Sequence, residues 1–79
     1  MDYSLLAWRL GKQIRGKRIN RGYTQAKLAG LTRQKVIAVE KGALSVSMVA
    51  YARVLGALDC ELTVIPAAMP TLEELAELF

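Results

Sequence analysis

The segment 30–42 constrains the fold most, because it carries the start and stop signals of one short helix. Thr32 is a favourable N-cap, since its hydroxyl accepts from the unpaired backbone N–H groups of a first helical turn. Gly42 readily adopts the left-handed conformation that ends a helix. Val36 and Val39 share one face of the helix at i, i+3 spacing. The sequence therefore predicts a helix between Thr32 and Gly42 with a buried valine face.

The first turn of this helix is Arg33-Gln34-Lys35. Cations near a helix N-terminus oppose the macrodipole and weaken an isolated helix. A helix that carries them there is a candidate for presenting donors to a negatively charged partner.

Size and composition limit the class of protein. The chain has 79 residues, of which 53% are hydrophobic and 23% charged, which is typical of one small globular domain. A single cysteine, Cys60, excludes an internal disulfide framework and suits a reducing cytosol. We find no signal-peptide pattern or long apolar run, so we expect a cytoplasmic protein. With no histidine and one cysteine, we expect no enzyme, no metal site and no cofactor.

The charges are divided unequally along the chain. Residues 1–42 hold ten Lys/Arg and two Asp/Glu, a net charge of +8, whereas residues 43–79 hold one and five, a net charge of −4. A basic half beside an acidic half indicates a polyanionic partner for the basic half. The alternative is an ordinary solvated surface.

Apolar spacing predicts three further helices in residues 1–58. The first runs from Ser4 to Arg21 and ends at Gly22. The second is a very short helix over 25–29, capped by Thr24, with Leu28 facing inward. The third runs from Met48 to Leu58 and is capped by Ser47. The expected core positions are Leu6, Leu10 and Ile14 in the first helix and Met48, Tyr51, Ala52, Leu55 and Leu58 in the last.

The pattern changes after Asp59. The segment Glu61–Ile65 alternates and is rich in β-branched residues, which predicts a strand ended by Pro66. A lone strand leaves its backbone groups unpaired, so we expect it to pair with its copy across a two-fold axis through Leu62, Val64 and Ile65. The alternative is an extended tail docked on the helices.

A last short helix is predicted in the acidic tail. Thr71 and Glu74 have the spacing of a capping box. One side of this helix would carry apolar residues: Leu72, Leu75, Ala76 and Phe79. Such a short helix is marginal alone and should dock on the dimer, bind a partner or fray.

Two short helices joined by a glycine turn form a helix-turn-helix, whose second helix fits the major groove of DNA. Arg33 would then pair with guanine, Gln34 with adenine, and Lys35 would add positive charge. Ile37 and Ala38 lie near the exposed face, where they would meet thymine methyl groups. The phosphate contacts are expected from Gln25, Lys27, Thr32 and Lys41, and Arg18 is a further candidate.

At these positions the sequence resembles the Cro/phage-repressor (XRE) helix-turn-helix family. The resemblance covers about residues 10–58 and is carried by the run 16–25, then Leu28-Ala29, and then 30–42. It implies that Gln25 contacts phosphate and that Thr32, Arg33, Gln34 and Ala38 face the groove. It also implies that Arg18 forms an ion pair with Glu40, whereas the charge pattern alone leaves a plain phosphate contact open for Arg18.

The bundle followed directly by the strand is similar to HipB-like antitoxins, which implies a dimer that represses its own operon and binds a toxin. The segment from Gln25 to Gly30 is about three residues shorter than is usual in the XRE family. Because of this shortening, the sequence does not determine the angle between the two motif helices. A degraded fragment without DNA affinity is a further alternative.

The resulting prediction is an all-α fold: a small repressor-type helix-turn-helix bundle of four to five helices with a short C-terminal strand paired across a dimer. Residues 1–58 would form the DNA-binding domain, and residues 59–79 would hold the strand and the short acidic helix for dimerisation or partner binding. The predicted function is that of a transcriptional repressor that reads a pseudo-palindromic operator as a homodimer. The alternative function is an antitoxin whose acidic segment 59–79 binds a toxin away from the basic half.

Overall fold

The computed structural model describes residues 2–28 and 30–78, apart from the side chains of Lys27 and Leu78. Within these residues the chain forms four α-helices and one 3₁₀ helix. They are α1 (Tyr3–Asn20), the 3₁₀ helix (Gln25–Lys27), α2 (Arg33–Glu40), α3 (Met48–Ala57) and α4 (Leu72–Leu78). The prediction of an all-α fold is confirmed. No helix in the described part of the chain is both long and apolar enough to cross a membrane.

Helix α1 begins and ends close to its predicted limits. Asp2 is the N-cap, and its carboxylate accepts from the backbone N–H of Ser4 at 2.8 Å. Gly22, with φ +72°, turns the chain out of the helix, as predicted. The buried face differs from the expected stripe by one position, since Leu5 is buried whereas Leu6 is 60% exposed.

The second predicted helix is shorter than expected. Only 25–27 are helical, as a single 3₁₀ turn, and the Thr24 side chain makes no capping hydrogen bond. Residue 29, the predicted end of this helix, lies outside the described residues. The chain leaves the 3₁₀ turn at Leu28, which is buried as predicted, and the Leu31 N–H then donates to the Leu28 carbonyl at 3.1 Å. Gly30 supplies the positive φ, +67°, that this turn requires.

Helix α2 is as predicted. The Thr32 hydroxyl accepts from the Lys35 backbone N–H at 3.2 Å, and Gly42 has a φ of +73° at the other end. Val36 and Val39 are fully buried.

Helix α3 contributes much of the core, but with a partly different face from the predicted one. Tyr51, Leu55 and Leu58 are buried as expected. Met48 is 63% exposed and Ala52 is exposed, so their predicted burial is wrong. The buried positions in their place are Ala50 and Val54. Only Arg53 is charged in this helix, so its apolar pattern extends around both faces and does not define the buried one.

The predicted strand Glu61–Ile65 is not formed. Asp59, with φ +56°, ends α3, and residues 60–71 are neither helix nor strand. A β-strand needs backbone partners on a neighbouring strand, and the described residues of this single chain contain none.

The capping box at the start of α4 is confirmed. The Thr71 hydroxyl accepts from the Glu74 backbone N–H at 3.1 Å, and the Glu74 carboxylate accepts from the Thr71 N–H at 3.0 Å. Leu72 is 85% exposed, whereas Leu75 is 36% exposed, so Leu75 is largely covered within the chain and Leu72 is not. Phe79, which was predicted to share their face, lies outside the described residues.

Candidate nucleic-acid interface

The first turn of α2 carries polar side chains that are directed to solvent. Arg33, Gln34 and Lys35 are all exposed, and the turn contains no acidic residue. Within the described residues, none of these three side chains has a hydrogen-bond or ion-pair partner in the protein. The turn therefore presents two cations and one amide side chain whose donors are available to a ligand.

The opposite face of α2 is fixed in the core. Val36 and Val39 pack in the same cluster as Ile14, Leu28 and Val54. This cluster joins α2 to α1, to the end of the 3₁₀ turn and to α3. Because packed interiors resist displacement, the orientation of the exposed first turn is determined by the buried valines.

A close backbone contact holds the C-terminal end of α2 against α1. A Cβ atom built on Gly11 would lie 2.6 Å from the Glu40 carbonyl oxygen and 2.8 Å from the Gly42 nitrogen. A Cβ atom built on Gly42 would lie 2.5 Å from the Ala7 carbonyl oxygen. Real Cβ atoms do not approach backbone atoms so closely, so glycine is required on both sides of this contact. Gly11 was not predicted as a contact residue, and its position inside a helix was the only signal in the sequence.

A buried ion pair joins the same two helices through side chains. The Arg18 Nε donates to Glu40 Oε2 at 2.5 Å, and Arg18 Nη2 donates to Glu40 Oε1 at 3.1 Å. The side chains are 11% and 3% exposed, respectively. The carboxylate also accepts from Gln25 Nε2 at 3.2 Å, and Arg18 Nη1 donates to the Tyr23 carbonyl oxygen at 2.9 Å. This network connects α1, the 3₁₀ turn and α2 around one buried carboxylate.

The network determines where two of the predicted phosphate-contact residues lie. Arg18 uses three guanidinium nitrogens within the protein, which favours the ion pair over the plain phosphate contact that the charge pattern left open. Gln25 is partly buried and donates its amide N–H to Glu40, so in this structure it supports the carboxylate. Its backbone N–H lies at the start of the 3₁₀ turn.

The remaining predicted DNA contacts lie around α2. Thr32 and Lys41 are exposed at its two ends, and Ala38 is partly exposed between them. The side chain of Lys27 lies outside the described part of the chain. The structure thus places Thr32, the exposed first turn and Ala38 on one short helix.

The acidic tail lies on α1 through ion pairs that were not predicted. Arg9 Nε donates to Glu74 Oε2 at 2.5 Å and Arg9 Nη2 donates to Glu74 Oε1 at 2.9 Å, which is a bidentate pair. Lys12 Nζ lies 3.0 Å from Glu77 Oε2 and 4.7 Å from the centroid of the Trp8 ring. The hydrogen bond from Arg9, followed by that from the Thr71 N–H, lowers the pKa of Glu74 to about 2. The hydrogen bond to Glu74 in turn raises the pKa of Arg9.

The predicted dimer residues are exposed in the isolated chain. Leu62 is 51% exposed, Ile65 is 73% exposed and Val64 is 99% exposed. They lie on the extended segment that follows α3, so apolar side chains and backbone groups of this segment both face solvent.

No protein-family model, curated protein or solved structure matches this chain.

Proposed function

We propose that the chain is a sequence-specific DNA-binding transcriptional repressor of the XRE type, which reads a pseudo-palindromic operator as a dimer. The observation that carries the proposal is the exposed turn Arg33-Gln34-Lys35 on a helix whose other face and C-terminal end are held rigidly. A recognition helix needs this combination, because base readout depends on donors placed with a fixed direction.

The dimensions and chemistry of α2 suit the major groove. The eight residues make α2 about 12 Å long, and the diameter of a single helix fits a major groove about 12 Å wide. In this proposal Arg33 donates two hydrogen bonds to a guanine and Gln34 pairs with an adenine. Ala38, one turn further along, contacts a thymine methyl group. Lys35 and Lys41 bind phosphates on either side, and Thr32 binds a phosphate at the helix N-terminus.

The dimer is proposed to form through the extended segment 61–65. Two copies of this segment would pair as antiparallel strands, satisfying the exposed backbone groups and covering Leu62, Val64 and Ile65. Their high exposure in one chain supports this arrangement. In sedimentation equilibrium, we expect a dimer mass that falls to the monomer mass in Val64→Lys and stays dimeric in the control Ala67→Lys. A monomer mass for the unmodified chain at every concentration would exclude the strand dimer.

The alternative, an antitoxin that binds a toxin through segment 59–79, was motivated by an acidic surface remote from the basic half. Two carboxylates of that segment, Glu74 and Glu77, instead pair with Arg9 and Lys12 of α1. A toxin would therefore have to displace these ion pairs or bind the exposed apolar residues around Val64. For this reason we propose DNA binding, and not toxin binding, as the function.

Selection from a random duplex library followed by titration tests DNA binding. We expect a recovered pseudo-palindrome with half-site centres roughly 34–36 Å apart. Three lysines per subunit (Lys27, Lys35 and Lys41) give about six phosphate contacts per dimer, so affinity should fall roughly 10³-fold between about 50 and 200 mM salt.

Two variants separate base readout from phosphate binding. Arg33→Ala should lose about 1–3 kcal/mol on the selected site and much less on random duplex. Lys41→Ala is the matched control. It should weaken binding to both duplexes by a similar factor and reduce the slope of log affinity against log salt by about 1 per subunit. Equal losses on both duplexes for Arg33→Ala would refute the assignment of base readout, and recovery of no motif would refute the proposed function.

A further inference from the structure

Arg15 lies on α1 beside the contact with the C-terminal end of α2. The residues one turn before it and one turn after it, Gly11 and Arg18, both contact residues 39–42. Gly11 packs against the backbone of this segment, and Arg18 donates to the carboxylate of Glu40. Arg15 itself is exposed, and within the described residues its side chain has no hydrogen-bond or ion-pair partner. The packed contacts on either side therefore hold Arg15 at the junction of the two helices.

The positions along both helices place Arg15 on the outer side of this junction, away from the core. On α1, Ile14 belongs to the buried cluster, and Arg15 follows it about 100° further around the helix, past the residues that contact α2. On α2, Val39 belongs to the same cluster, whereas Lys41 is exposed on the other side of Glu40. The core thus lies on one side of the contact between the helices, and Arg15 and Lys41 lie on the other.

The positive charge on this outer side is not balanced by nearby carboxylates of the sequence. Residues 3–39 contain no Asp or Glu. The Glu40 carboxylate at the junction is buried and already accepts from two other side chains. Arg15 and Lys41 are therefore two cations on one surface, and their repulsion is relieved when an anion binds near them. A guanidinium binds a phosphate with two parallel hydrogen bonds, so phosphate is a suitable anion.

We propose that Arg15 binds the phosphate backbone of duplex DNA next to the phosphate that Lys41 binds. This inference rests on the proposed function, because it extends the same interface from α2 onto α1. It supplies the phosphate contact from α1 that Arg18 does not make, since three guanidinium nitrogens of Arg18 donate within the protein. A contact to phosphate adds affinity for any duplex and does not change which sequence is preferred.

The test compares Arg15→Gln with Lys17→Gln in the full chain. Both variants remove one positive charge from an exposed residue of the same helix. Lys17 lies about 160° around the helix from Arg15, so it is on the side that does not adjoin Lys41. Binding of each variant is titrated against a random-sequence duplex and against the selected operator at several salt concentrations.

We expect Arg15→Gln to bind the random duplex more weakly than Lys17→Gln does at about 50 mM salt. Its plot of log affinity against log salt should be less steep by about 0.9 per chain, as the loss of one phosphate contact requires. The difference in affinity between the two variants should therefore shrink about threefold per chain between about 50 and 200 mM salt. Both variants should prefer the same operator.

Equal affinities and equal salt slopes for the two variants would overturn the Arg15 contact, and they would leave the repressor proposal intact if an operator is selected. A loss confined to Arg15→Gln, in a chain that prefers no sequence, would support the phosphate contact and refute the repressor. No binding of any duplex by the unmodified chain would overturn both proposals.

Discussion

Two glycines of α1 provide a matched test of how α2 is positioned. Gly11 and Gly16 lie in the same helix, but a Cβ atom on Gly11 would collide with three backbone atoms at 2.6–2.8 Å, whereas a Cβ atom on Gly16 would meet nothing within 4 Å. Replacing either glycine with alanine removes the same unfavourable helix propensity. The difference between Gly11→Ala and Gly16→Ala therefore measures the close contact alone.

The magnitudes follow from the two environments. At Gly16, alanine should stabilise the fold by about 1 kcal/mol through helix propensity. At Gly11, the obstructing atoms belong to the backbone of residues 39–42 and cannot rotate away, so overpacking should cost about 3 kcal/mol, the upper part of its usual range. After the gain in propensity, Gly11→Ala should destabilise by about 2 kcal/mol. The two variants should thus differ by about 3 kcal/mol, in a domain whose total stability is about 4–12 kcal/mol.

Urea unfolding followed by far-UV circular dichroism measures both variants. With a slope of about 1 kcal/mol/M, typical of so small a chain, the midpoint should fall by about 2 M in Gly11→Ala and rise by about 1 M in Gly16→Ala. A slope that differs between variants would invalidate the comparison of midpoints. Equal shifts in both variants would refute the close contact between α1 and the end of α2.

Two further predictions concern the ion pairs. Arg18→Met leaves the Glu40 carboxylate buried without its main partner and should lower the free energy of unfolding in urea by about 3–5 kcal/mol. The double variant Arg18→Met/Glu40→Leu should recover most of that loss. If the single variant stayed within about 1 kcal/mol of the unmodified chain, the network would be contradicted. Because the Glu74 pKa is about 2 when the tail is docked, below its value of 4.5 when free, docking is fully stabilised above pH about 4.5 and is lost as the pH falls toward 2. Trp8 lines the cleft between α1 and α4. Trp8 fluorescence should change over the same pH range, and a change centred above about pH 6 would show that protonation of Glu74 is not its cause.

The sequence predicts the helices better than it predicts their buried faces. Both ends of α2 follow from Thr32 and Gly42, because capping groups act locally on the chain. The buried face of α3 could not be predicted from the sequence, because an apolar pattern on all sides is compatible with several rotations of the helix about its axis. The exposed Met48 and the buried Val54 show the rotation that tertiary packing selects.

The contacts of the candidate site were also predicted only in part. The resemblance to XRE proteins implied the pairing of Arg18 with Glu40, and the structure contains that pair. The docking of Glu74 on Arg9 joins residues 65 positions apart, and no periodicity connects two segments so distant in sequence. Gly11 was missed because its role depends on backbone atoms of another helix, which the local sequence does not specify.

The network around Glu40 also bears on how the segment between α1 and α2 tolerates insertions. Arg18 and Glu40, 22 positions apart, close the base of a loop that contains the 3₁₀ turn. Lengthening that loop by three residues adds only about 0.1 kcal/mol to its closure entropy, because the cost grows with the logarithm of length. Chain entropy therefore places almost no limit on the length of this segment. The requirement that Gln25 reach the carboxylate restricts where extra residues fit, so insertions after Leu28 should be accepted and insertions before Gln25 should not.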